Sequence, residues 1–199
     1  MMTHRFAKHA LWASTALLVA GAVFAAPATY VIDPDHSYPS FEASHMGVSV
    51  WRGKFNKTTG KITLDKSAAT GTVQVMVDVG SIDFGLDALN AEATKETMFD
   101  AAKYPQAVYK GVLADFKDGM PTRVMGDLTL HGVTRPLELK INSFKCIPHP
   151  MLKRELCGAD ASATFQRDAF GIDSGKEYGF SMDVTLRIQI EALQEAKSG

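Results

Sequence analysis

Strict alternation of apolar and polar residues recurs along this chain and limits its fold more than any other feature. In residues 73–79, four valines occupy alternate positions, with Gln74 and Asp78 between them. The same period of two appears in residues 124–130, 137–141, 159–165 and 184–190. This pattern is typical of strands with one apolar and one wet face, as in an antiparallel sheet. The sequence therefore predicts an all-β domain of about eight strands, arranged as a sandwich or as a closed up-and-down barrel.

Short polar segments that contain glycine separate the predicted strands. They are Lys117-Asp118-Gly119, His131-Gly132 and Asp173-Ser174-Gly175. Glycine and aspartate suit the backbone angles that turns between antiparallel strands require. All three segments are therefore predicted to be tight connections between neighbouring strands.

Residues 38–45 are predicted to form the first strand of the domain. Pro39, Phe41, Ala43 and His45 lie on one face of such a strand, and mostly polar side chains lie on the other. The first face suits equally the lining of an apolar cavity and a dry core. His45 would lie partly inside, either as a satisfied core histidine or as a polar contact for a ligand headgroup near the mouth.

Residues 85–105 depart from the alternating pattern. Apolar residues at helical spacing predict a helix from about Leu86 to Lys95, followed by an irregular turn. A long excursion between strands of a compact barrel is more often functional than structural filler. We therefore interpret this segment as a lid over the barrel mouth. Its residues expected at the cavity are Leu89, Met98, Phe99 and Tyr104.

Several short sequence blocks follow one another in a fixed order through most of the chain. They are Asp33-Pro34-Asp35-His36-Ser37, Ser81-Ile82-Asp83, Phe99-Asp100-Ala101-Ala102-Lys103-Tyr104-Pro105, Gly126-Asp127-Leu128-Thr129-Leu130-His131-Gly132-Val133-Thr134-Arg135-Pro136, Arg167-Asp168-Ala169-Phe170-Gly171-Ile172-Asp173 and a closing Ile190-Glu191-Ala192. In this order the blocks resemble the YceI family, the lipocalin-like, polyisoprenoid-binding proteins of bacteria.

The resemblance implies an eight-stranded antiparallel lipocalin-like barrel, with one short helix and a lid loop over its cavity, rather than a sandwich. It also implies a carrier or reservoir for one long-chain amphiphilic lipid: an isoprenoid quinone, a polyprenyl phosphate or a fatty amide. No cofactor other than such a lipid is expected. Transient contact with a membrane is expected too. Analogy with lipid carriers also suggests a homodimer, joined edge to edge or mouth to mouth. The predicted ligand-binding residues are Phe41, Ala43, His45, Phe84, Leu89, Met98, Phe99, Tyr104, Leu128 and Phe165.

The beginning of the chain is predicted to be an export signal. Arg5 and Lys8 precede an apolar run over residues 10–24 that is short for a membrane span. Small residues favour cleavage after Ala25, which gives a signal peptide at 1–25, a single domain at 26–199 and a periplasmic location. Removing the two basic residues leaves 19 basic against 22 acidic side chains. Nucleic acid is therefore not an expected partner, since its binders carry a clustered basic surface.

The two cysteines, Cys146 and Cys157, flank a segment with two prolines between strand-like runs. Export would place them in an oxidising compartment, where a disulfide across the base of a hairpin is expected. The alternative is a reactive thiol pair. No Cys-x-x-Cys motif is present to lower a thiol pKa, so the disulfide is the favoured interpretation.

Three residues define the alternative of a secreted enzyme of unknown chemistry: His36, His45 and Arg167. Because consecutive residues of an extended segment point to opposite faces, His36 is badly placed to activate Ser37. Arg167 is either one half of an anion site or a loop residue paired with a nearby aspartate. The histidines lack the spacing of a metal site, and none is predicted. A further alternative is a ligand-free stress or interaction protein with a filled barrel.

Overall fold

One antiparallel sheet of twelve strands makes up most of the computed structural model, which describes residues 27–196. The signal peptide at 1–25 and the cut after Ala25 lie outside these residues and stay predictions. The elements are β1 (Ala28–Ile32), β2 (Tyr38–His45), β3 (Ser49–Phe55), β4 (Thr58–Asp65), β5 (Thr70–Asp78), β6 (Ile82–Asp83), α1 (Asp87–Ala93), β7 (Gln106–Ala114), β8 (Arg123–Leu130), β9 (Val133–Pro136), β10 (Leu139–Pro148), β11 (Glu155–Gln166) and β12 (Asp183–Gln194).

Eight of the strands close into a ring in the order β1-β4-β5-β7-β8-β10-β11-β12. The ring is closed by β12, which pairs back onto β1, so that Ile32 lies opposite Ala192. A closed ring leaves no strand edge unpaired, whereas each sheet of a sandwich has two unpaired edges. The fold is thus the eight-stranded antiparallel barrel with one α-helix, as predicted.

The last strand, β12, pairs with two different strands along one of its edges. Residues 192–194 of β12 pair with β1, whereas residues 184–189 pair with β2. Beyond β2 the sheet continues through β3, whose last two residues pair with β6. The prediction that residues 38–45 form the first strand is therefore wrong. The chain enters the barrel through β1, which is too short for its alternation to stand out.

The predicted faces of the strands are confirmed. Val75, Val124 and Leu130 are buried, whereas their polar neighbours Gln74, Arg123 and Thr129 are exposed or half-buried. The described residues include no helix long and apolar enough to cross a membrane.

Two connections differ from prediction. The helix is shorter than residues 86–95, because α1 ends at Ala93 and Thr94 caps it. Asp173-Ser174-Gly175 is not a tight turn, since it lies inside the long connection from Gln166 to Asp183, which forms two short 3₁₀ turns. By contrast, His131 and Gly132 both have positive φ, as the tight turn of the β8–β9 hairpin requires.

The end of the barrel that carries the β4–β5, β7–β8 and β10–β11 turns is closed; we call it the floor. Cys146 and Cys157 lie directly opposite each other there and form the predicted disulfide. Beside them the Tyr30 hydroxyl donates a hydrogen bond to Glu155, which also pairs with Lys66 at 2.6 Å. Burial, then the contact with Glu155, raises the pKa of Tyr30 well above its usual range. A polar network that runs from the buried Tyr30 to the exposed Lys66 therefore lies across the floor.

Candidate functional site

The opposite end of the barrel, which we call the mouth, is covered by residues 84–105, the lid. Contacts between phenylalanine rings join the lid to the barrel. The ring of Phe41 lies 5.3 Å from that of Phe84 and 5.7 Å from that of Phe55, which lies 6.1 Å from Phe99. Ala93 at the end of α1 is fully buried in the same cluster. The lid is thus attached to the barrel by aromatic packing.

A second aromatic pair joins the end of β11 to the loop that follows it. Phe165 and Phe170 meet edge to face at 5.3 Å. Phe99 packs against the clusters on both sides, and Leu128 packs with Phe165 beneath it. Five of the predicted ligand-binding residues therefore belong to two adjoining apolar clusters at the mouth, which share Phe99 and Phe165: Phe41, Phe84, Phe99, Leu128 and Phe165.

His45 lies farther out, at the tip of the β2–β3 hairpin. Its ring stacks on Trp51 at 4.1 Å and meets Phe180 edge to face at 5.0 Å. Ala43 lies between this group and the barrel, opposite Val184 on one side and Trp51 on the other. The two residues extend the apolar surface from the mouth toward solvent, and their role in binding stays a prediction.

The other three predicted lid residues occupy separate positions. Tyr104 packs edge to face on His131 at 4.6 Å, next to the β8–β9 turn. Leu89 and Met98 are half-buried and lie outside the buried clusters of residues 27–196. Their contact with a ligand also stays a prediction.

The barrel interior is apolar and is not uniformly filled. Ile188 and Leu186 point inward with Val184 and Ala192, yet they are half-buried whereas those two are buried. Ala163 lies opposite Leu186 and is half-buried as well. Because these side chains face the interior, their accessible surface indicates space within the mouth half of the barrel. Small residues such as Ala163 leave the volume that a guest molecule needs.

An open cleft of about 580 Å³ lies on the rim of the mouth. It is lined by Thr97 from the lid and by residues 173–177, among them Asp173 and Glu177. Lys176 in its wall is already paired with Asp168 at 2.7 Å. The cleft is open and its lining residues are all polar, so it suits a headgroup at the entrance better than an apolar tail.

His36 and Ser37 occupy different environments. His36 is exposed, and its Nδ1 lies 2.9 Å from Asp33, a contact that raises the pKa of His36. Ser37 is fully buried, and its hydroxyl donates to the carbonyl of Glu191 and accepts from the amide of Glu191. The hydroxyl is therefore engaged with the backbone, and the neighbouring imidazole points away from it.

Arg167 supports the loop that follows β11. Its guanidinium donates to the carbonyls of Ile172 at 2.9 Å and Ser174 at 2.8 Å. Burial lowers the pKa of Arg167. Arg167 therefore binds carbonyls of its own loop rather than a nearby aspartate, which was the expected structural partner.

The model of the YceI-like domain family matches residues 30–192. This chain belongs to the YceI family. Protein YceI of Escherichia coli O6:H1 is 30% identical over 193 residues, which cover 94% of this chain and 98% of that protein. A UPF0312 protein of Vibrio parahaemolyticus is 36% identical over 116 residues, 57% of this chain and 61% of that protein.

Solved structures share the YceI barrel at lower identity. Burkholderia cenocepacia BcnA is 22% identical, with a TM-score of 0.63 over 80% of this chain and 98% of its own. A polyisoprenoid binding domain from Saccharophagus degradans, implicated in plant cell wall breakdown, is 18% identical, with a TM-score of 0.62 over 83% of this chain and 98% of its own. These similarities establish the fold.

Sequence reasoning missed two members of the aromatic cluster of this YceI-like barrel. Phe55 ends β3, where the preceding residue on its face is Gly53, so no run of apolar side chains leads up to it. Phe170 lies in a 3₁₀ turn, outside any strand pattern, and is buried with Ile172. The Phe170-Gly171-Ile172 run within the family block was the only available signal for it.

Proposed function

We propose that this chain binds one long-chain amphiphilic lipid inside its barrel and serves as a periplasmic carrier or reservoir. The observation that carries the proposal is the apolar interior below the lid. Its inward-facing side chains Leu186 and Ile188 are only half-buried, and Phe99 attaches the lid above them. The polyisoprenoid binding domain of Saccharophagus degradans, which has the same fold, lends further support.

The energetics of such a site favour a linear apolar tail. Each methylene group withdrawn from water contributes about 0.8 kcal/mol. A tail therefore binds firmly against water but exchanges almost evenly with a membrane, since both surroundings are apolar. This balance fits a carrier or reservoir, and an isoprenoid quinone, a polyprenyl phosphate and a fatty amide all satisfy it.

Catalysis is not part of the proposal. An enzyme needs groups placed to stabilise charge that develops in the transition state. The hydroxyl of Ser37 and the guanidinium of Arg167 instead bind backbone groups of this chain. His45 packs between aromatic rings at the edge of the mouth.

Export belongs to the same proposal. A basic start followed by an apolar run supports a cleaved signal peptide at residues 1–25. The Cys146–Cys157 disulfide suits an oxidising compartment such as the periplasm. Sequencing the N-terminus of the purified protein tests this part, and an intact Met1 would contradict it.

Organic extraction of the purified protein, followed by mass spectrometry, tests lipid binding. We expect a long-chain lipid in a molar ratio near one to one. Displacement of a fluorescent long-chain probe then measures affinity. An empty extract together with no probe binding would favour a ligand-free protein with a filled barrel.

A further inference from the structure

The β2–β3 hairpin extends beyond the barrel wall as a two-stranded ribbon, residues 44–53. Its strands pair with each other as far as His45 and Ser49. The neighbouring strand β12 pairs with β2 only as far as Ala43, and β6 pairs with β3 only through Lys54 and Phe55. Over residues 44–50 the ribbon therefore has no neighbouring strand on either side.

The ribbon exposes apolar side chains to an unusual degree. Val48 is 85% exposed and Met46 is 53% exposed. Val50 and Trp51 are exposed as well. Residues 45–51 contain no lysine, arginine, aspartate or glutamate. Contiguous apolar surface of this kind marks an interaction site more often than an ordinary protein surface.

Two other connections at the mouth expose large side chains. Leu86, just before α1, is 59% exposed, and Tyr178, in the loop before β12, is 71% exposed. His45 in the ribbon contacts Phe180, two residues from Tyr178. Apolar or amphipathic side chains thus project from three separate connections around one end of the barrel. Such an arrangement fits a broad surface that faces the mouth.

The charged side chains around the ribbon do not favour an electrostatic partner. Arg52 is paired with Glu42 at 3.0 Å, and Lys176 is paired with Asp168 at 2.7 Å. Acidic residues such as Asp173 and Glu177 line the rim cleft beside them. Attraction to anionic headgroups therefore contributes little, and burial of apolar side chains must supply the binding.

We propose that the tip of the ribbon inserts into the outer layer of a zwitterionic bilayer and holds the mouth against the membrane. This inference rests on the proposed function, because a carrier of a membrane lipid must bring its entrance to the bilayer. Tryptophan and tyrosine are enriched at membrane interfaces, where an apolar body and a polar tip are both satisfied. A second copy pairing along the β3 edge would leave Leu86 and Tyr178 uncovered, whereas a bilayer contacts all three connections.

Flotation with vesicles of phosphatidylcholine and phosphatidylethanolamine tests the inference. The chain from Ala26 onward is suitable, since every strand of the barrel lies within residues 28–194. Of the two tryptophans in the sequence, Trp12 lies before Ala26, so Trp51 is the only tryptophan in this shortened protein. We expect the protein to float with the vesicles, with Trp51 emission shifted to the blue and quenched by brominated phosphatidylcholine.

The decisive variant is Val48→Asp, and the matched control is Val112→Asp, an exposed valine on the barrel wall near the floor. We expect Val48→Asp to lower vesicle partitioning about tenfold or more, since it replaces an inserted side chain by a charge. Val112→Asp should partition like the unchanged protein. Melting curves should be the same for all three proteins.

Probe displacement without vesicles separates this inference from the proposed function. A protein that binds the probe but does not float would overturn the inference and leave the proposed function standing. A protein that floats but binds no probe would overturn the proposed function and the purpose assigned to docking. Flotation only with anionic vesicles, or a dimer that Val48→Asp converts to a monomer in light scattering, would also overturn the inference.

Discussion

Ser37 and Glu191, which lie 154 residues apart, exchange two hydrogen bonds: the serine hydroxyl accepts from the amide at 3.0 Å and donates to the carbonyl at 3.1 Å. Glu191 lies on β12 between the part that pairs with β1 and the part that pairs with β2. On that edge neither β1 nor β2 pairs with Glu191, although the amide of Asp33, just after β1, also donates to its carbonyl at 2.9 Å. Ser37 therefore replaces a strand where β12 changes partner.

Replacing this serine should weaken the fold without affecting the ligand. Ser37→Ala leaves the amide of Glu191 without its partner, which lowers the free energy of unfolding by about 1–3 kcal/mol. Denaturant unfolding measures the change, with Ser40→Ala in the adjoining strand β2 as the control. Probe binding by the folded variant should be unchanged. Unchanged stability with loss of probe binding would make Ser37 a candidate catalytic or binding residue.

The ion pair between His36 and Asp33 predicts a dependence of stability on pH. The hydrogen bond that the His36 Nδ1–H donates to the Asp33 carboxylate raises the pKa of His36, so the protonated form is favoured in the folded state. The stability that this ion pair contributes to the folded protein is complete below about pH 6.5, the ordinary pKa of histidine. It is lost as the pH rises through the raised pKa of His36. We expect the Tm to fall as the pH rises above about 6.5, and His36→Gln to reduce that fall. An identical pH profile in the variant would contradict the assignment.

Filling the mouth half of the barrel should remove the ligand but spare the fold. Ala163→Phe places a ring opposite Leu186, whose inward-facing side chain is only half-buried. The tighter packing should lower the free energy of unfolding by about 1–3 kcal/mol. We expect probe affinity to fall at least tenfold. Ala68→Phe, at an exposed alanine in the β4–β5 turn, is the matched control. Full binding by a folded Ala163→Phe variant would contradict an interior site.

Loosening the lid should speed the release of ligand. Phe99→Ala removes the ring that contacts Phe55 and packs against clusters on both sides. Because the ring is half-buried, we expect a loss of about 1–3 kcal/mol in stability, together with faster release of the probe in stopped flow. Leu89→Ala, on the surface of α1, should speed release with little loss of stability. Release rates equal to the unchanged protein in both variants would remove the lid from the mechanism.

The disulfide should contribute to stability without controlling the interior. Replacing both Cys146 and Cys157 by alanine opens a connection with a sequence separation of 11. We expect a loss of about 2–3 kcal/mol in the free energy of unfolding. The double variant should still bind the probe, since the bond lies at the floor. Loss of binding at full stability would place the ligand deeper than we propose.

Sequence pattern predicted the barrel walls because a wet outer face imposes a period of two, as in β12 and β8. It did not predict β1, whose five residues are too few to display that period. It found Phe41 and Phe165 because they lie on regular strands, but it missed Phe170, whose position depends on a 3₁₀ turn. It also misjudged the length of the connection after β11, because the glycines there end short turns inside a longer loop.

The closed floor makes the interior a blind-ended sleeve, and this geometry has a directional consequence. With Tyr30 and Glu155 blocking one end, a guest has to enter tail first and leave head first, so its polar group always remains at the entrance. A nine-residue strand such as β7 rises about 30 Å. Tilting shortens this length, and the space lies only in the mouth half, so the sleeve is shorter than the barrel. A tail longer than the sleeve would leave its surplus at the entrance instead of being excluded. Selection among homologous tails should therefore reach a plateau with length rather than a sharp optimum.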